Sequence, residues 1–152
     1  KAMHKEFANV IQKISEKQGE VSPDEIMDSF RREYLDKKEP IHFRKLKIDD
    51  LTGETASEFD TRVTVDYTSH GEPAQFIAVG NGPIDAVQRG LQVELGLRIN
   101  ALQSGSNSQA AAYIHLLDAE TGRVTYGVGV SSNITRASVR AIFSAINRLE
   151  LG

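Results

Sequence analysis

The sequence predicts an α+β fold, in which two βββα units related by a pseudo-twofold axis follow a helical hairpin. Three observations lead to this prediction. Apolar residues recur with a helical period before residue 40 and with a period of two after it. The order strand, strand, strand, helix then occurs twice. A single unit of about 50 residues is marginally stable alone, so we expect the two units to share a core.

The predicted hairpin begins with a helix whose apolar stripe contains Phe7, Val10, Ile11 and Ile14, and which ends at Gln18-Gly19. A capping box at residues 22–25, with Pro23 at the first helical position, predicts the start of a second helix. Its stripe comprises Ile26, Met27, Phe30 and Tyr34. The charged segment 36–39, closed by Pro40, indicates a linker. We therefore expect a helical subdomain at residues 1–40 and the duplicated domain at residues 41–152.

The first unit is predicted from three extended segments and a helix. Residues 41–48 favour a strand, and residues 59–68 alternate between apolar and polar, which is typical of a half-buried strand. Residues 69–72 predict a turn and residues 75–79 a short apolar strand. The chain must turn sharply at residues 80–83 before a helix with one stripe, formed by Ile84, Val87, Leu91 and Leu95.

The second unit repeats this order. Residues 97–101 alternate, residues 111–117 predict a strand, residues 118–122 a turn, and residues 123–130 alternate again. Residues 131–133 break the chain before a last helix, whose stripe comprises Val139, Ile142, Phe143, Ile146 and Leu149. Because the Val79-Gly80 and Val128-Gly129 junctions lie in matching places before a helix, we interpret the order as an internal duplication.

Composition excludes several classes of protein. A formal net charge of −3 does not suit general nucleic-acid binding, which needs clustered positive charge. The chain has no cysteine, which excludes disulfides and thiolate chemistry and fits a reducing, cytoplasmic compartment. No apolar run approaches the roughly 20 residues of a membrane span. Because the chain starts at Lys1 with neither an initiator Met nor a secretory signal, we expect it to be a piece of a longer protein.

We find no catalytic constellation in the sequence. The four histidines, among them His115 on a predicted strand, have no partner at metal-ligand spacing. Asp118 and Glu120 fit solvated turn residues, and the basic residues between 31 and 47 alternate with acids as on a solvated face. We therefore expect no catalytic residue, metal or cofactor here.

Residues 80–86 carry the one distinctive motif. Gly80 and Gly82 permit positive φ or a close backbone approach, and Pro83 suits a first helical turn. The free N–H groups of such a helix start attract a carboxylate, and Ile84 would place an apolar wall beside it. An amino acid or a small carboxylic acid would suit this arrangement. The motif alone favours the simpler interpretation, a tight turn with a conventional cap.

Four segments in order, residues 80–83, 108–113, 126–129 and 134–141, closely resemble the C-terminal regulatory domain of 2-isopropylmalate synthases. Residues 6–12 and 21–26 look like the helical linker subdomain that precedes it. The resemblance covers nearly the whole chain, and the duplicated fold agrees with that family.

The resemblance implies an allosteric sensor. The family's full-length enzyme condenses acetyl-CoA with 2-oxoisovalerate, the first committed step of leucine biosynthesis. The chemistry and the divalent metal belong to an N-terminal (β/α)₈ barrel that this sequence does not contain. Leucine binds the regulatory domain and inhibits the distant barrel. The resemblance also implies a homodimer with leucine sites near its contact, and a linker subdomain that carries the signal.

The resemblance places the leucine site on three segments. The turn would form one wall, with its amides holding the carboxylate, and the next two segments would supply an apolar pocket and another wall. The acceptors for the ammonium group stay unassigned. The expected leucine-binding residues are Gly80, Asn81, Gly82, Pro83, Ile84, Ala101, Leu102, Ser108, Gln109 and Ala110.

One segment departs from the family pattern. Between Leu102 and Gly105 the family has several more residues, including a Tyr and a Glu-His-Ala stretch, that help line the leucine pocket. Either this loop is deleted, which would weaken the case for leucine binding, or a disordered loop is missing from the sequence. Two alternatives therefore stay open: a dimerisation module that ignores ligands, and a domain of the citramalate-synthase type that senses isoleucine. A stand-alone enzyme is disfavoured because no catalytic group is present.

Overall fold

The computed structural model describes residues 2–18, 22–35, 37–53, 58–106 and 111–151. Four helices and six strands form its regular structure, with a π-helical turn at Arg31–Leu35 after the second helix. In chain order they are α1 (Ala2–Gln18), α2 (Pro23–Phe30), β1 (Ile41–Asp50), β2 (Thr61–Ser69), β3 (Glu72–Gly80), α3 (Pro83–Leu95), β4 (Ile99–Ser106), β5 (Ala111–Asp118), β6 (Val124–Val130) and α4 (Ile134–Leu151).

The strands form two antiparallel three-stranded sheets, in the orders β1-β2-β3 and β4-β5-β6, and a helix follows each sheet. The predicted pair of βββα units is thereby confirmed. In both sheets the register shifts once, in the pairing of the first two strands: between Phe43 and Lys45, and between Gln103 and Gly105. This shared irregularity supports the interpretation of a duplication.

The two units share one hydrophobic core. Val63, Val65 and Tyr67 lie on the buried face of β2, as the alternation predicts. The same cluster contains Leu91 of α3 and Ile142 of α4, both fully buried. Because neither unit has a core of its own, the removal of either would expose the apolar face of the other.

The buried face of β6 is made of small residues. A Cβ on Gly129 would lie 1.9 Å from the carbonyl oxygen of Ala137, and one on Gly127 would lie 2.0 Å from that of Ala141. These glycines let the backbone of α4 lie directly on the strand. The valines at the two ends of β6, Val124 and Val130, are 40% and 48% exposed, on the opposite face.

The N-terminal helices pack around aromatic rings. The predicted capping box is confirmed, with the Glu25 amide donating to Ser22 Oγ at 3.2 Å. The predicted stripe of α2 is wrong at Ile26 and Met27, which are 37% and 51% exposed. The aromatic residues that follow do pack against α1: the Phe30 ring centroid lies 5.2 Å from that of Phe7, and the Tyr34 ring centroid lies 5.8 Å from it.

Polar side chains of α4 fasten this N-terminal part to the core. Arg148 donates to Glu33 Oε1 at 2.8 Å and ion-pairs with Glu6, and its guanidinium lies 4.4 Å from the centroid of the Tyr34 ring. Burial, and the hydrogen bond that the hydroxyl donates to Glu6, raise the pKa of Tyr34. Asn147, which is fully buried, joins the carbonyls of Lys37 and Ile41 at 2.8 Å each.

Candidate functional site

The turn between β3 and α3 has the tight geometry that its glycines predict. A Cβ on Gly80 would lie 2.5 Å from the backbone nitrogen of Ala86, so only glycine fits where the strand touches the helix. Gly82 precedes the helix with φ +92°, a backbone conformation that other residues rarely adopt, and Pro83 is the first helical residue. No side chain caps α3.

The matching helix of the second unit starts differently. Asn133 Oδ1 accepts a hydrogen bond from the Arg136 amide at 3.1 Å, which is an ordinary side-chain cap. Gly82 has no side chain with which to do the same. The N–H groups of Ile84 and Asp85, in the first turn of α3, have no acceptor within the helix, and they remain directed toward its N-terminal end.

Two amides of the turn are already engaged by carboxylates of the chain. The Asn81 amide donates to Asp85 Oδ2 at 2.9 Å, and the Gly82 amide donates to Asp60 Oδ1 at 2.9 Å. Asp60 is brought there because β2 begins next to the end of β3, with Thr61 paired to Gly80. The turn therefore does bind carboxylates through its amides, and in this structure the carboxylates are internal.

Arg89 balances the charge of Asp85. Its Nε lies 2.9 Å from Asp85 Oδ2, and its guanidinium lies 4.7 Å from the centroid of the Phe59 ring. Partial burial opposes the charged form of Asp85, but the Asn81 amide and Arg89 outweigh it and lower the pKa of this carboxyl. Asp85 is thus ionised and paired at neutral pH, whereas the carboxylate of Asp60 accepts hydrogen bonds, among the described groups, only from the Gly82 amide and the Thr61 hydroxyl.

An apolar wall lies beside the turn. Ile84 and Ala101 are partly buried, and both pack against the shared core. Gln88, one helical turn after Ile84, accepts a hydrogen bond from the Ala101 amide at 3.0 Å and donates to the Ile99 carbonyl at 3.4 Å. This double contact holds β4 against α3, with Ala101 beside Gln88.

The remaining predicted site residues are placed differently. Leu102 points to the opposite face of its sheet from Ala101, because neighbouring residues of a strand alternate, and it is 58% exposed. Ser108, Gln109 and Ala110 lie outside the described residues. The alternation at residues 97–101 predicts a strand that ends near Leu102. Strand β4 instead continues to Ser106, paired with β5.

Sequence reasoning missed Asp60, Asp85, Gln88 and Arg89. The sequence does contain spacing patterns that could have indicated three of these residues. Asp85 and Arg89 have the i, i+4 spacing of a helical ion pair, and Gln88 falls one turn after Ile84. No local pattern relates Asp60 to Gly82, which are 22 residues apart and meet only through the register of β2 and β3.

Within the described ranges, no group of three or more His, Cys, Asp or Glu side chains is placed to hold a metal ion. A search of the same residues for a helix long and apolar enough to cross a membrane finds none. Two cavities, of about 290 Å³ and 310 Å³, lie elsewhere on the protein, and neither is lined by a predicted site residue.

The comparisons of this chain with known proteins agree on one family. The family model described as the LeuA allosteric (dimerisation) domain matches residues 20–150. The 2-isopropylmalate synthase of Mycobacterium leprae is 38% identical over 150 residues, which cover 94% of this chain and 24% of that protein. The corresponding enzyme of Clostridium acetobutylicum is 33% identical over 159 residues, 99% of this chain and 28% of that protein. The chain thus spans about a quarter of the length of these relatives.

Proposed function

The chain belongs to the LeuA allosteric (dimerisation) domain family, and from this premise we propose that it is the regulatory part of a 2-isopropylmalate synthase and binds leucine as a feedback inhibitor. The reaction, its acyl substrates and its divalent metal would belong to a catalytic barrel elsewhere in the protein. Residues 1–40 would form the linker subdomain and residues 41–152 the regulatory domain. We expect the parent protein to act in the cytoplasm.

The geometry of the β3–α3 turn is the observation that carries the proposal. Its Asn81 and Gly82 amides engage carboxylates, and α3 starts on Gly82 without a side-chain cap. Ile84 in the first turn of α3 and Ala101 on β4 provide partly buried apolar surface. N–H donors for a carboxylate beside an apolar wall are the arrangement that a branched-chain amino acid requires.

Asp60 completes a set of partners for a zwitterion. Leucine would place its carboxylate at the N-terminal end of α3, where the Ile84 and Asp85 amides lack acceptors within the helix. Its ammonium group would pair with Asp60, whose carboxylate lies at the Gly82 amide. Asp60 would thus be the acceptor for the ammonium group, which the sequence analysis left unassigned. Asp85 is less suited because Arg89 already neutralises it.

Pairing of two domains is the second part of the proposal. Ile77, Leu102 and Leu117 are 64%, 58% and 37% exposed, on the sheet faces turned away from the core. Such side chains gain stability when a second copy covers them. Leu102 would then meet the partner domain across that contact.

A titration of melting temperature with leucine, isoleucine and valine tests the ligand. Binding at 100-fold over the dissociation constant adds about 2.7 kcal/mol, so a rise with leucine supports the proposal. A rise with isoleucine alone would favour the citramalate-synthase type.

One observation favours the other alternative, a dimerisation module that ignores amino acids. Strand β4 continues through residues 102–106, where the family has extra residues that line the leucine pocket. That alternative predicts a stable dimer with no shift for any of the three.

A further inference from the structure

One of the two cavities lies between the start of β1 and the last strand and helix, away from the β3–α3 turn. Its volume is about 290 Å³. Its floor is apolar and deeply buried, with Ile41, Phe43 and Phe143 exposed by 2%, 7% and 3%. Lys37, Lys38, His42 and Arg140 also line it. None of these residues belongs to the turn proposed for leucine.

The basic groups around this cavity are not neutralised by the described part of the chain. The described residues of its lining include no carboxylate. Among the described side chains, the ion pairs within 4.0 Å involve Arg62, Arg89 and Arg148, and none involves Lys37, Lys38 or Arg140. Arg140 donates one N–H to the Val130 carbonyl at 2.7 Å, which orients its guanidinium and leaves its other N–H groups for an acceptor.

The charges near His42 also make this surface positive. Partial burial first, and then the charges of Arg44 and Lys38, lower the pKa of His42 below its ordinary value. The charge of Arg140 also lowers this pKa, and the charge of Glu39 raises it. His42 is therefore neutral at pH 7, and it can donate an N–H to a ligand without adding to the charge.

The backbone on one side of the cavity is held in place before any ligand arrives. Ser144 Oγ donates to the Tyr34 carbonyl at 2.7 Å, and Asn147 holds the Lys37 and Ile41 carbonyls at 2.8 Å each. Both side chains are buried, exposed by 4% and 0%. A site whose walls are already fixed loses little conformational freedom on binding.

We propose that this cavity binds a small organic carboxylate with a short apolar chain, at a site separate from the β3–α3 turn. The carboxylate would lie among Lys37, Lys38 and Arg140, and the apolar chain would rest on Ile41 and the two phenylalanines. A cavity of this size, near the lower end of the roughly 300–1,000 Å³ range of ligand pockets, suits a molecule of a few carbon atoms.

Amide NMR titrations of the chain with three probes test this proposal. The probes are 3-methylbutanoate, 3-methylbutylamine (the same chain with the opposite charge) and inorganic phosphate. Arg140→Ala removes a rim charge but keeps the Cβ that faces Gly129. Arg136→Ala, on the same exposed side of α4 but outside the cavity lining, is the matched control.

We expect 3-methylbutanoate to shift the amides around His42 and Gly129, and Arg140→Ala to weaken its binding about tenfold, because a charge-assisted hydrogen bond is lost. Arg136→Ala should leave the affinity unchanged, and saturating leucine should not displace the probe. The proposal is overturned if the amine binds as well as the carboxylate, or if Arg140→Ala has no effect. Equal binding of phosphate would also overturn it, because the apolar floor would then contribute nothing.

Discussion

The backbone N–H of Gly82 donates a hydrogen bond of 2.9 Å to Oδ1 of Asp60, across the end of the β2–β3 pair. The contact places a carboxylate at the start of a helix that has no side-chain cap. It has two consequences for the proposed leucine site. The Gly82 amide is available to a ligand only if Asp60 moves, and Asp60 is itself a partner for an ammonium group.

Gly82→Asp should abolish the rise in melting temperature with leucine, and weaken leucine inhibition of the full-length enzyme. The new carboxylate would repel that of the ligand and that of Asp60, at a residue whose φ of +92° already disfavours a side chain. Gly122→Asp is the control, because Gly122 also has positive φ and open space around it. Both variants should lose about 1–3 kcal/mol through backbone strain. A leucine response equal to that of Gly122→Asp would show that the site lies elsewhere.

Gln88→Ala should destabilise the fold by about 1–3 kcal/mol, since the partly buried Ala101 amide loses its side-chain acceptor. It should also weaken the leucine response, because Gln88 holds Ala101 of β4 against α3. Urea denaturation measures the first effect and the melting titration the second. Gln75→Ala removes a hydrogen bond to Asp66 that is exposed to solvent, and it should cost far less. Equal costs for the two variants would contradict the bridging role of Gln88.

Gly129→Ala should destabilise the fold by at least about 1–3 kcal/mol, because the methyl group would lie 1.9 Å from the backbone carbonyl of Ala137 and force α4 away from β6. Gly53→Ala adds the same methyl group in open space, with only the strain of its positive φ. Chemical denaturation of both variants separates packing from backbone strain. If Gly53→Ala is the more damaging change, the close contact of β6 with α4 is not important for stability.

The fold was largely predictable because its signals are local. The alternation in β2, the capping box at Ser22 and the repeated order of elements each follow from residues close in sequence, and the structure confirms them. The alternation in β6 indicates which residues share a face. It does not indicate that the glycine face, rather than the valine face, lies under α4. That depends on the alanines of a helix that follows later in the chain.

The candidate site was predictable only in part. The glycines and Pro83 determine the turn, so its shape could be predicted from the four neighbouring residues 80–83. Asp60 reaches it from another strand, and Gln88 makes its contact with Ala101 through tertiary packing. The exposure of Ile26 and Met27 likewise depends on what packs against α2, which the helical spacing of these residues does not indicate.

Protonation of His42 should make the protein less stable in mildly acidic solution. The pKa of His42 is lowered in the folded state, so above the ordinary value near 6.5 the ring is neutral in both states and no stability is lost. As the pH falls below that value, the unfolded chain takes up the proton first, and the free energy of unfolding decreases. Urea denaturation at pH 7.5 and 5.5 should show a smaller loss for His42→Gln than for the unmodified chain. An identical loss would contradict a lowered pKa.

The central claim is that this domain senses leucine through the β3–α3 turn, and a melting-temperature titration of the unmodified chain tests it most directly. The chain should first be shown to be folded and dimeric. We predict a saturable rise with leucine that exceeds the rises with isoleucine and valine and disappears in Gly82→Asp. No rise with any of the three at millimolar concentration would contradict the claim and leave a dimerisation module that does not respond to amino acids.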